Sequence, residues 1–117
     1  MNILFLCTAN LQRSRTAEDL FRPQFKQHVF RSAGLSEKEC TRNGSALCTE
    51  ALLKWADTIY VFEPMHLERI RQHTGELYMK KIQCLHIEDI YQYMQPKLIS
   101  ELKPLSQHFK SRRSYYA

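Results

Sequence analysis

Asn2-Ile3-Leu4-Phe5-Leu6-Cys7-Thr8-Ala9-Asn10-Leu11-Gln12-Arg13-Ser14 opens the chain and decides how the rest is read. Four apolar residues, Ile3 to Leu6, read as a short buried strand, and Arg15 to Phe25 reads as a helix. Strand, loop and helix N-terminus in that order build an anion site. Backbone N–H groups converge there and the helix dipole favours negative charge. Cys7, at the first position of the loop, would lie under a bound anion. Arg13, at the last, can fork onto two of its oxygens. The stretch reads as a phosphate cradle with a nucleophile at its base.

Outward from the cradle, strands and helices alternate. His28 to Ser32, closed by Ala33-Gly34, reads as a second strand, and Ser36 to Asn43 as a polar loop. Ser45 to Trp55 carries Leu47, Ala51, Leu52 and Trp55 at helical spacing. Thr58 to Phe62 is β-branched and aromatic, the third strand. Pro64 suits the first turn of a helix running to about His73, with Gly75 at its C-terminus. Lys81 to Ile87 reads as a fourth strand and Glu88 to Met94 as a loop. A last helix from Pro96 is expected to bury Leu98, Ile99 and Leu102 until Pro104 breaks it. This order predicts βαβ units and a parallel sheet in one α/β domain, residues 1–109, followed by a short, frayed basic tail, residues 110–117.

Composition narrows the class. The 117 residues are 44% apolar and 25% charged, the balance of a soluble globular domain. Cysteines at 7, 40, 48 and 84 lack CxxC or zinc spacing, which points to reduced thiols and a cytoplasmic location. His66 and His73 have no ligand partners at metal spacing and are read as surface residues. No metal or cofactor is expected. The net charge of +5 comes with no nucleic-acid module and no stretch of membrane-spanning length. It suits a surface that attracts phosphorylated ligands.

In parallel sheets ligands bind at the carboxyl ends of the strands. That rule places the Cys7 loop, Ser32 to Asn43, Glu63-Pro64 and Glu88 to Met94 at one rim, and it sorts the acids. Asp57 precedes its strand, Asp19 lies inside the first helix, and Asp89 alone among the aspartates follows a strand. Glu88 is its rival, and Glu63 reads as a first-turn helix residue favoured by the dipole. The matching chemistry is phosphoryl transfer through a covalent cysteine. Arg13 and the helix N-terminus favour the Cys7 thiolate, and Ser14 can donate to it. Loop N–H groups and Arg13 would hold the equatorial oxygens, and Asp89 would protonate the leaving group. Asn10 tolerates left-handed backbone and can pin the loop.

Cys7-x-x-Asn10-x-x-Arg13-Ser14 after an apolar strand resembles the low-molecular-weight protein tyrosine phosphatases, whose pattern includes Cys-x-Gly-Asn-x-Cys-Arg-Ser. Ser32-Ala33-Gly34, Trp55-Ala56-Asp57 and Asp89-Ile90-Tyr91 resemble further family segments in order. The resemblance implies a three-layer fold, with a four-stranded parallel sheet in the order 2-1-3-4 and helices on both faces. It also implies a metal-independent phosphocysteine mechanism. Cys7 is then the nucleophile, Arg13 the clamp, Asn10 and Ser14 supports, Asp89 the acid and Tyr91 a wall of the substrate pocket. Thr8, Ala9, Leu11 and Gln12 complete the phosphate loop. The chain departs from the pattern with Ala9 for glycine, Gln12 for cysteine and Ile90 for proline. The expected substrate is a phosphotyrosine-like aryl phosphate, on a protein or free, with phosphate, sulfate or vanadate able to occupy the site. The alternatives are a phosphoprotein-binding module without turnover and a thiol-dependent arsenate reductase, which needs two resolving cysteines.

Overall fold

Four runs rich in apolar and β-branched residues become strands: β1 (Asn2–Cys7), β2 (Val29–Gly34), β3 (Thr58–Val61) and β4 (Ile82–Cys84). In the computed structural model, which describes residues 1–110, they form one all-parallel sheet in the order β2-β1-β3-β4. The register sets Cys7 beside Gly34 and Leu6 beside Val61, so three strands end together at one rim. Of the basic tail only Lys110 falls among the described residues.

Alternation along β1 sends its side chains to two cores. Ile3, Phe5 and Cys7 face one cluster, with Ala17 and Phe21 of α1 (Arg13–Phe21), Leu98 and Leu102 of α5 (Pro96–Leu102), and Phe109 of α6 (Ser106–Phe109). Aromatic rings fill it. Phe5 stacks on Tyr60 at 5.5 Å, and Phe21 meets Phe109 edge-on at 5.0 Å. Leu4 and Leu6 face the other cluster, with Leu53 of α3 (Glu50–Trp55) and Ile70 of α4 (Pro64–Thr74). Helices therefore cover both faces, and the three-layer domain expected from the sequence is the one formed.

Several local expectations are corrected. The first helix begins at Arg13 and stops at Phe21; Arg22 keeps helical backbone angles and donates to Glu18 O, and Pro23 then offers no N–H to carry the ladder on. The stretch read as a polar loop holds a helix, α2 (Glu37–Asn43). Ser36 caps it by accepting from the Glu39 N–H at 3.1 Å, and Gly44 ends it at φ 64°. Only Cys40 of α2 is buried, so no apolar period announced it. Conversely, Ser45 to Cys48 is not helical. Gly34 pairs with Leu47 in a parallel bridge, and Thr49 caps the shorter α3. Leu47 and Ala51 are exposed while Leu53 takes the core position. β4 is three residues long and is preceded by a 3₁₀ turn, Met79–Lys81. Beyond it, Leu85 and Ile87 still donate N–H groups to Val61 and Phe62. Pro104 interrupts the last helix as expected, in a 3₁₀ turn over Lys103–Leu105, and Ile99 is only half-buried.

Candidate active site

β1 ends under the cradle and α1 begins on its far side, so Thr8 to Gln12 form a tight loop between them. None of the five backbone N–H groups of that loop finds an acceptor among the described residues. Asn10 makes the turn at φ 55°, and the position of Ala9 needs no positive φ, so the missing glycine is tolerated. Buried Asn10 then pins the loop. Its Nδ2 donates to Ser14 Oγ (2.8 Å) and Ser32 Oγ (2.9 Å), and its Oδ1 accepts from the Ala46 N–H (3.3 Å). The end of β2 supports the loop from the side. The Leu35 N–H donates to Cys7 O (2.9 Å) and the Ser36 N–H to Thr8 O (3.0 Å). Gly34 is required there because a Cβ would lie 2.7 Å from Thr8 O and 2.4 Å from Cys40 Sγ.

Cys7 Sγ lies 3.0 Å from Ser14 Oγ at the base of a cleft of about 190 Å³. Thr8, Ala9, Leu11, Gln12, Arg13 and Asp89 form the rest of its lining. The guanidinium of Arg13 is 1% exposed and held from behind. Its Nη1 donates to Glu63 Oε1 (2.5 Å) and to Ile87 O (2.8 Å), and its Cζ lies 5.6 Å from the Phe62 ring centroid. That anchoring leaves the Nε–Nη2 edge for two oxygens of an anion. Asp89 Oδ1 stands 3.8 Å from Arg13 Nε, with a side chain 63% exposed at the mouth. Glu88 does not line the cleft, and Asp57 sits at the opposite rim, accepting from the Asn2 N–H at 2.7 Å. Tyr91 is also not brought to the cleft. It is half-buried against the aromatic core, while Ile90 beside Asp89 is 65% exposed.

Two participants escaped the sequence reading. Glu63 is more than a dipole-favoured residue at the start of a helix, since it anchors the buried arginine. His66, read as a surface residue, is 2% exposed. Its Nδ1 accepts from the Glu63 N–H (3.0 Å) and the Phe62 N–H (3.3 Å), so the ring proton resides on Nε2 and is donated to Thr8 Oγ1 (3.1 Å). The imidazole thereby ties the start of α4 to the cradle. The available signal was positional: Glu63-Pro64 follows a strand at the ligand rim, and His66 lies on the first turn after it.

Burial, then the neighbouring Arg13 charge, lowers the His66 pKa from 6.5 to about 4. The unfolded chain therefore binds a proton there that the native chain refuses, and stability falls as pH drops from 6.5 to about 4. The window is worth about 3 kcal/mol in full. Urea midpoints for the protein and for His66→Gln should diverge in slope across that window, with the variant less dependent on pH. Parallel curves would show that His66 does not titrate this way.

Residues 2–54 match the model of the family described as low molecular weight phosphotyrosine protein phosphatase. That span contains β1, the cradle, α1, β2, α2 and most of α3. No curated protein sequence matches the chain. Among solved structures, SP-PTP, the low molecular weight protein tyrosine phosphatase from Streptococcus pyogenes, aligns with a TM-score of 0.75 at 12% identity, over 98% of this chain and 97% of its own. The YwlE arginine phosphatase from Geobacillus stearothermophilus gives 0.73 at 17%, over 99% and 97%. Vibrio vulnificus Wzb in complex with benzylphosphonate gives 0.67 at 19%, over 91% and 92%. The resemblance read from the cradle motif is thus borne out, and the fold is the one these proteins share.

Proposed function

We propose that this relative of the low molecular weight phosphotyrosine protein phosphatases hydrolyses aryl phosphate monoesters through a phosphocysteine. The observation that carries the reading is Cys7 in a cleft lined by Thr8, Ala9, Leu11 and Gln12, whose backbone N–H groups have no acceptor among the described residues, with Arg13 beside it. The Cys7 thiolate attacks phosphorus while loop N–H groups and Arg13 take the equatorial oxygens. The P–O bond to the leaving group breaks, and Asp89 supplies its proton. Asp89, now a carboxylate, takes a proton from water as that water attacks the phosphocysteine. Ser14 donates to the departing thiolate from 3.0 Å.

The lip of the cleft suggests the leaving group. Leu11, 37% exposed, lines it and offers apolar surface to an aryl ring. A phosphoguanidinium, the group implied by the name of the YwlE phosphatase, would find no such benefit from Leu11. Arsenate reduction is not favoured, because of the four thiols only Cys7 lines the cleft. The four free thiols suit a reducing, cytosolic setting. Among the described residues no helix is long and apolar enough to cross a membrane, and no His, Cys, Asp and Glu cluster could hold a metal.

The test is hydrolysis of phosphotyrosine and phosphoarginine side by side, with and without a thiol-blocking reagent. Blocked turnover favouring phosphotyrosine is expected. Turnover that survives blocking, or binding without turnover, would overturn the reading. Asp89→Asn should lower kcat about 10²–10⁴-fold for poor leaving groups and much less for good ones. A larger loss from Glu88→Gln than from Asp89→Asn would mean the wrong acid has been assigned.

A further inference from the structure

Asp89 rides on a segment whose hydrogen bonds lie at its two ends. On the strand side the Ile87 N–H donates to Phe62 O (2.9 Å), and Ile87 O accepts from Arg13 Nη1 (2.8 Å). On the far side the Met94 N–H donates to Thr16 Oγ1 (2.9 Å), and the Tyr93 hydroxyl donates to Asp19 Oδ2 (2.5 Å). Left-handed backbone brackets the segment, at His86 (φ 57°) and Met94 (φ 60°). A residue with a side chain holds that conformation where its surroundings impose it. Between the anchors, Glu88 to Tyr91 make no hydrogen bond to another described residue. Glu88, Asp89 and Ile90 are exposed, and Tyr91 is partly buried against the hydrophobic cluster.

Both ends are held from one helix. Arg13, Thr16 and Asp19 stand three residues apart along α1, so the row that carries the anion clamp also fixes the segment. A proline at position 90 would restrict the backbone of Asp89, and Ile90 does not. The aim of the acid therefore depends on the anchors. Among them the Tyr93–Asp19 contact alone joins two side chains, and its acceptor is a carboxylate, the stronger kind of hydrogen bond. That bond raises the Tyr93 pKa above its ordinary value, so the phenol keeps the proton it donates. Tyr93 does not line the cleft, which leaves the segment as its route to the reaction.

We propose that Tyr93 and Asp19 are positioning residues for the general acid: their hydrogen bond fixes the far end of the segment so that the Asp89 carboxyl meets the leaving-group oxygen. The proposal rests on the phosphatase reading and adds which residues aim its acid.

The experiment measures kcat/KM of the full chain for two esters. Phenyl phosphate has a leaving group that needs a proton, whereas that of para-nitrophenyl phosphate departs readily as the anion. Tyr93→Phe and Asp19→Ala should each lower kcat/KM about 10-fold for phenyl phosphate and less than about 2-fold for the nitro ester, the scale of a modest misplacement of one catalytic group. The double variant should lose no more than either single one, because both remove the same bond. In an Asp89→Asn background neither substitution should cost more, since no acid is left to aim. Inhibition by inorganic phosphate should be unchanged throughout. Equal losses on the two esters, a loss that persists in Asp89→Asn, or unaltered kinetics overturns the inference. A parent protein that hydrolyses neither ester overturns the phosphatase reading, and the inference falls with it. One that hydrolyses both while the variants keep its leaving-group dependence overturns the inference alone.

Discussion

Cys7→Ser should hydrolyse no aryl phosphate above the reagent background, yet still bind phosphate or vanadate. The substitution keeps an oxygen where Sγ lies 3.0 Å from Ser14, so packing and the hydrogen bond are preserved. What is lost is the nucleophile, because a serine hydroxyl is weak without an adjacent base and no histidine lines the cleft. What remains is the anion cradle, built from backbone N–H groups and Arg13 rather than from sulfur. Single-turnover assays beside calorimetric titration of the anion separate the two properties. Appreciable hydrolysis by the variant would remove cysteine from the mechanism.

Arg13→Lys should lower kcat/KM about 10²–10³-fold, the usual worth of a lost oxyanion donor, although the charge is kept. An ammonium is a point donor and cannot present two parallel N–H groups to the phosphoryl oxygens. It also cannot satisfy Glu63 and Ile87 together while still reaching the anion, a division of labour that the planar fork permits. Both KM for aryl phosphate and the inhibition constant for phosphate should rise with the fall in kcat. Near-normal kinetics would mean that the buried guanidinium is a structural prop for Glu63.

The cradle was legible because its parts are contiguous. Strand, Cys7, loop, Arg13 and helix fall within one short stretch, and Asn10 is a residue type suited to the φ of 55° it adopts. The parallel sheet followed from the strand–helix alternation, and its order from the resemblance alone. Glu63 and His66 were misjudged because their roles are tertiary. A carboxylate fifty residues from Arg13 and an imidazole touching Thr8 leave no local pattern. α2 was missed for a different reason, since its stability comes from the Ser36 cap and Gly44 stop with only Cys40 facing inward. β4 was overextended because Leu85 and Ile87 are apolar and bond to β3 and its flank, while the backbone turns left-handed at His86. Tyr91, given a pocket role by position, is partly buried against the hydrophobic cluster and does not line the cleft, while its neighbour Ile90 is exposed.

Capture of the covalent intermediate tests the central claim most directly. The protein is mixed with an excess of aryl phosphate, quenched in acid within a turnover, digested and mapped by mass. The account predicts one phosphoryl group on the peptide holding Cys7, at higher occupancy in Asp89→Asn, which slows attack by water. A turnover-competent protein that never carries phosphate on Cys7 would contradict it.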